Sequence, residues 1–195
     1  MNSIKAILAT LAIFTAASQA QAALITFEGQ FNTIYNSEIT REGFDIGNVA
    51  GDEQHFHEVT STSFGLPSNG TGVLLNDRDS RIYVEEMSGG AFSLFSVDVA
   101  SALNNNPAVG IMIEGFLGGV SQGTLSLAAL GSGYSTIFGG ALTNIDRLIF
   151  DGIGGRGGFV LDNLSLGAAS VPEPGTLVLL SLGLAGLGMR RRKAA

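Results

Sequence analysis

At 195 residues the chain is long enough for one domain with a substantial core, and with no cysteine it folds without disulfides. Acids outnumber Lys and Arg by 17 to 10, and the imbalance is steeper in the middle: residues 23–170 hold 16 acids and five arginines, formally −11, with no lysine. Nucleic acid and anionic membranes would repel that surface, which excludes both as partners of the central part.

In chain order, Lys5 gives a positive start, residues 6–17 are almost wholly apolar, and Ala20-Gln21-Ala22 puts small residues where a signal peptidase reads. Residues 1–22 are therefore expected to be a signal peptide, cut between Ala22 and Ala23. No stop-transfer pattern follows it. Export across an inner membrane is the consequence.

Residues 23–166 show almost no helical periodicity. Short alternating or apolar runs recur instead, separated by Gly, Asn, Asp and Pro. Strands are predicted at 24–27, 43–49, 55–60, 72–75, 81–86, 91–99, 109–116, 124–129, 147–150 and 158–166. Within 91–99, Phe95, Val97 and Val99 alternate with Ser96 and Asp98, the pattern of a half-buried strand. Ser68-Asn69-Gly70, Ser88-Gly89-Gly90 and residues 104–107 and 152–158 read as turns or loops. About ten strands at this spacing predict an all-β, two-sheet antiparallel sandwich, a jelly roll, flanked by an N-terminal signal helix and a short C-terminal transmembrane helix.

After a short linker at 167–170 come three signals in fixed order: Val171-Pro172-Glu173-Pro174, an uncharged apolar run at 175–189, and Arg190-Arg191-Arg192-Lys193. The basic end would resist translocation and stay cytoplasmic. A 15-residue helix reaches only about 22 Å, against roughly 30 Å of hydrocarbon core, and four glycines weaken it as a lasting anchor. A tail anchor with an incidental Pro-Glu-Pro is the plainer alternative. In this order and place the three elements resemble the C-terminal sorting signal of PEP-CTERM proteins, which an exosortase recognises. The resemblance implies processing near Pro172–Pro174, transient membrane attachment through 175–189, and release to the cell surface or extracellular matrix.

A second resemblance covers the central domain. Ile25-Thr26-Phe27-Glu28, Glu42-Gly43-Phe44, Phe92-Ser93-Leu94-Phe95-Ser96-Val97-Asp98 and Phe159-Val160-Leu161-Asp162-Asn163-Leu164 look like β-sandwich ectodomains of PEP-CTERM proteins. These are similar in turn to carbohydrate-binding jelly rolls, which implies a structural calcium joining Glu28 to Asp162.

No catalytic constellation is legible. There is no Gly-x-Ser-x-Gly elbow, phosphate loop or histidine-rich motif, so a non-enzymatic role is expected and no catalytic residue is assigned. Glu53, His55 and His57 would share one strand face and suit zinc, although an exposed polar face accounts for them more simply. Asp77 and Asp79 offer a second acidic pair, beside Arg78 and Arg81. Asn69-Gly70-Thr71 fits a glycosylation pattern that a bacterial-type sorting tail makes moot. Sugar binding would need aromatic platforms; there is no tryptophan, and Tyr35 and Tyr134 lie near predicted loops, whereas Tyr83 falls inside a strand.

Together these features imply an exported, non-enzymatic surface or matrix protein, handled by signal peptidase and an exosortase. By resemblance it is linked to exopolysaccharide and biofilm. The alternative is a lectin-like module binding an extracellular polysaccharide.

Overall fold

The computed structural model describes residues 22–28, 33–35, 38–53, 55–60, 66–67, 70–76, 80–102, 107–154 and 157–168. Ala20, the sorting motif 171–174, the apolar run 175–189 and the basic end 190–193 lie outside these residues. Among the described residues no helix is long and apolar enough to cross a membrane.

Thirteen strands follow in order: β1 (Ala22–Ile25), β2 (Thr33–Tyr35), β3 (Ile39–Arg41), β4 (Phe44–Asn48), β5 (Phe56–Thr60), β6 (Gly72–Asn76), β7 (Ile82–Glu86), β8 (Phe92–Ser101), β9 (Gly110–Leu117), β10 (Val120–Leu127), β11 (Ser135–Phe138), β12 (Arg147–Ile153) and β13 (Phe159–Ala168). They form two antiparallel sheets. The seven-stranded sheet has the order β11-β8-β13-β6-β5-β2, with β1 added to β13, and the six-stranded sheet has the order β10-β9-β12-β7-β4-β3. This is the expected all-β sandwich.

Alternation sets the layers. In β7, Ile82 and Val84 are fully buried while Tyr83 and Glu85 point away; in β12, Leu148 and Phe150 are buried while Arg147 and Ile149 are partly exposed. The inward residues of both sheets make the main core, where Phe44 and Phe92 meet edge to face with ring centroids 5.3 Å apart. A smaller cluster, built on Val59, Val73, Leu75, Ala100 and Val160, lies on the outer side of the seven-stranded sheet, where Leu66 and Tyr134 pack against it. By the same alternation, Asp98 and Asp162 face outward beside this cluster.

Every predicted strand is present, with shifted ends. β10 begins at Val120, because a two-residue turn at Gly118-Gly119 (φ 57° and 78°) returns the chain at once and a bulge between Ser121 and Gly123 interrupts the alternation. β13 continues past Leu166, so Gly167 and Ala168, expected to begin a linker, pair with Ser93 and Phe92 of β8. The unpredicted strands β2, β3 and β11 have three or four residues each. Runs that short show too few alternations to stand out.

Polar side chains tie the sheets together. Arg41 at one edge donates from Nε and Nη2 to both oxygens of Glu58 across the sandwich (3.0 and 2.6 Å), and the Glu58 carboxylate is almost wholly buried. In the β6–β7 crossover, Asn48 Nδ2 donates to Ser80 Oγ, which donates to Asn76 Oδ1, all three residues being buried. Arg81 grips both oxygens of Asp52 and also donates its backbone N–H to Oδ2.

Candidate polysaccharide-binding face

The outward side of the six-stranded sheet has no layer over it among the described residues. Strand register arranges its side chains in rows. One row runs Asp45, Glu85, Arg147, Phe116 across β4, β7, β12 and β9; the next runs Gly47, Tyr83, Ile149, Glu114. An open groove of about 470 Å³ crosses this face, lined by Glu85, Glu86, Phe116, Arg147 and Ile149 from the strands and by Gly89, Gly119 and Asp146 from the adjoining turns.

Arg147 is the centre of this arrangement. Its guanidinium carbon lies 4.9 Å from the centroid of the Tyr83 ring, within cation–π range. Its Nε lies 3.0 Å from Glu85 Oε1, an ion pair off the axis of the N–H rather than a directed hydrogen bond. The two terminal nitrogens make no protein hydrogen bond among the described residues, and the side chain is about one-third exposed. A cation held over an aromatic ring with its outer donors open can donate to a ligand's oxygens.

The surroundings are fixed. Tyr83 Oη donates to Glu38 Oε2 at 2.7 Å; burial, and then this acid, raises the Tyr83 phenol far above its usual range. At the rim, Glu86 Oε2 accepts from Ser88 Oγ (2.5 Å) and Gly90 N (2.6 Å), and these bonds, the Ser88 hydroxyl foremost, hold its carboxyl below the ordinary value. Asp146 Oδ2 accepts from Gly118 N at 2.6 Å, pinning the β9–β10 turn beside the groove. The face thus offers cationic donors, carboxylate acceptors and the apolar surfaces of Phe116 and Ile149 side by side. Hydroxyl-rich, C–H-faced ligands such as sugars can use all three.

The expected aromatic platforms are placed differently. Tyr134 is half-buried on the opposite sheet, packed on the small outer cluster with its hydroxyl 3.4 Å from Pro67 O, so it is a packing residue. Tyr35 lies on the edge strand β2. Tyr83, inside strand β7, points outward from it. The sequence held the signal: alternation in 82–86 and 147–150 sends Tyr83, Glu85, Arg147 and Ile149 to one side.

His57 is also placed differently from the exposed polar face expected of it. Only 6% of it is exposed, and its ring meets that of His55 edge-on at 4.5 Å. Glu53 is exposed, and among the described residues no three His, Asp or Glu side chains gather as a metal site. Asp77, Asp79 and Asn69 lie outside the described residues.

Glu28 and Asp162 converge on one dipeptide. Thr71 Oγ1 donates to Asp162 Oδ2 at 2.8 Å, and Gly72 N donates to Glu28 Oε2 at 3.3 Å. Asp162 is fully buried and also accepts from Asn163 N (2.7 Å); Asn163 Nδ2 donates in turn to Asp98, which Thr136 Oγ1 also reaches. Two carboxylates with a hydroxyl oxygen nearby suit a hard cation in donor type.

Residues 170–193 match the PEP-CTERM protein-sorting motif, and the chain carries that signal. Such a signal marks an exported protein that is anchored transiently and processed by exosortase. No curated protein sequence matches the chain. Among solved structures, the carbohydrate-binding module CBM29_1 from Piromyces equi is similar, with 10% identity, 77% of this chain and 91% of that chain covered, and a TM-score of 0.44. A cleaved adhesin domain of Lys-gingipain from Porphyromonas gingivalis is similar with 10% identity, 76% and 98% covered, and a TM-score of 0.45.

Proposed function

We propose that this is a non-enzymatic surface or extracellular-matrix protein, exported behind the leader 1–22, processed by exosortase at its 171–193 signal, and equipped to hold extracellular polysaccharide. The sorting part rests on the match over residues 170–193. The binding part rests on one observation: the Arg147 guanidinium lies against Tyr83 with its terminal donors open to the groove. Exopolysaccharide and biofilm are the setting this reading implies. Three acids, Glu85, Glu86 and Asp146, surround the one arginine of the groove, which favours a neutral chain over one rich in uronic acids.

Two experiments test the two parts. Fusing residues 171–195 to an exported reporter should yield a shortened, released product only in cells with an exosortase; the same product without it ends the sorting claim. Arg147→Ala should abolish retardation of the protein in gels containing neutral polysaccharide without changing its thermal midpoint. Retardation equal to that of the parent protein ends the binding claim.

We infer further that calcium joins Glu28 to Asp162 as a structural ion. The convergence of both carboxylates on Thr71-Gly72 supports this. Bound there, it would fasten β1 and β13 to the start of β6.

A further inference from the structure

The chain enters the described fold at Ala22 and leaves it at Ala168, and these points are neighbours: Ala22 pairs with Gly167 across β1 and β13. Beside them the outer side of the seven-stranded sheet carries an apolar patch that is uncovered among the described residues. One row across β1, β13, β8 and β11 reads Leu24, Ser165, Ser96, Phe138, and the Phe95 ring lies on Gly167, where any Cβ would collide with it. Leu24, Phe95 and Phe138 are 56%, 48% and 75% exposed. Four strands at about 4.8 Å spacing make this patch about 14 Å wide. Between its apolar members it has only serine and glycine, and no charge.

The sequence says what lies nearby. Six residues separate Ala168 from the apolar run 175–189, a tether of at most about 25 Å even when fully extended. Upstream, four residues separate Ala22 from the apolar run 6–17. Both apolar runs connect to the described fold through Ala22 and Ala168, at one corner of the sandwich, and the patch is at that corner. The nearest acids on this side are held by hydrogen bonds: Asp162 is fully buried, and Asp98 accepts from Thr136 and Asn163.

The geometry points to a membrane-facing surface: while the tail is attached, Leu24, Phe95 and Phe138 rest in the interfacial layer of the bilayer. Exposed aromatic and aliphatic side chains suit that layer, and a short tether keeps their effective concentration at the membrane high. The groove of the six-stranded sheet, on the opposite side of the sandwich, then faces away from the membrane. The partner is the lipid interface, and the contact is weak enough to end when the tail is cut.

The test uses the full chain in zwitterionic phosphatidylcholine vesicles. Because the sequence has no cysteine, single Leu24→Cys, Phe138→Cys and Thr124→Cys variants can each carry an environment-sensitive dye, with Thr124 reporting the opposite, exposed side. Lipids bearing a quencher at headgroup depth should quench dyes at 24 and 138 several-fold more than the dye at 124, whatever the protein-to-lipid ratio. Equal quenching at all three sites overturns the proposal. So does protection at 24 and 138 that appears only as protein density rises, which would mean that a second copy covers the patch. A Phe95→Ser variant with its melting transition retained should reduce quenching at 138, and unchanged quenching there also counts against it.

Discussion

The Tyr83 ring lies on Gly47, its register partner on the neighbouring strand, so closely that a Cβ at Gly47 would sit 3.0 Å from the ring. A Cβ at 47 presses the ring aside by a few tenths of an ångström, and a branched side chain there displaces it further, and with it the stack under Arg147. Gly47→Val should therefore weaken polysaccharide binding nearly as much as Arg147→Ala. Tyr83→Phe keeps the ring and loses only the bond to Glu38, costing about 0.5–1.5 kcal/mol of stability and little affinity. Gel retardation and thermal melts of the two variants check this ordering.

Arg41 and Glu58 should behave unequally. Arg41→Ala strands a buried carboxylate and should cost about 2–4 kcal/mol, discounted from a fully buried pair because Arg41 is one-third exposed. Replacing both, Arg41→Met with Glu58→Leu, should recover most of that loss. Urea unfolding of the single and double variants measures the difference.

Acid should unfold the domain partly through Asp52. Hydrogen bonds from Arg81 hold its carboxyl below the ordinary 3.8, so the folded state favours the charged form. That stability is present above 3.8 and is lost as pH falls through the depressed folded value. Asp52→Asn should lower stability at neutral pH and flatten its decline below pH 4, as read by unfolding at a series of acid pH values.

Alkali acts through phenols. Burial, before any neighbouring charge, raises both Tyr83 and Tyr134 above the ordinary 10.0, so their neutral forms belong to the folded state and stability falls as pH rises past 10. Phenolate absorbance should show these two tyrosines ionising together with unfolding, not before it. Tyr134→Phe should remove one of those two protons from the transition.

Calcium should raise the thermal midpoint. At ten times its Kd a single structural ion adds about 1.4 kcal/mol, or a few degrees for a domain this size. Glu28→Gln should abolish the response, and identical melts of the parent protein in calcium and in chelator would remove the proposed ion.

The long strands were legible because Phe92–Ser101 and Phe159–Ala168 are rich in apolar and alternating residues. Phe95, however, expected in step with the buried Val97 and Val99, points outward because the alternation of β8 slips at Phe95-Ser96, opposite the register shift in β13. The edge strands β2, β3 and β11 were not, since their pairing comes from neighbours distant in sequence. Arg147 and Tyr83 illustrate a different gap. Alternation revealed that they point outward, but their stacking depends on β7 lying beside β12, a pairing between strands some 60 positions apart. The sorting signal needed no fold, because its information is order and composition.

β13 lies between β8 and β6 along its first half and between β8 and β1 along its second, yet of the thirteen strands it is made last. The seven-stranded sheet has no middle until it arrives. During export, β1 must wait for a partner some 140 residues downstream while nearly all the sandwich between them emerges. Only six residues then separate the end of β13 from the apolar run 175–189. Completion of the fold and arrival of the sorting signal are thus nearly simultaneous, and a protease acting just beyond β13 would meet a chain that has only then become able to close.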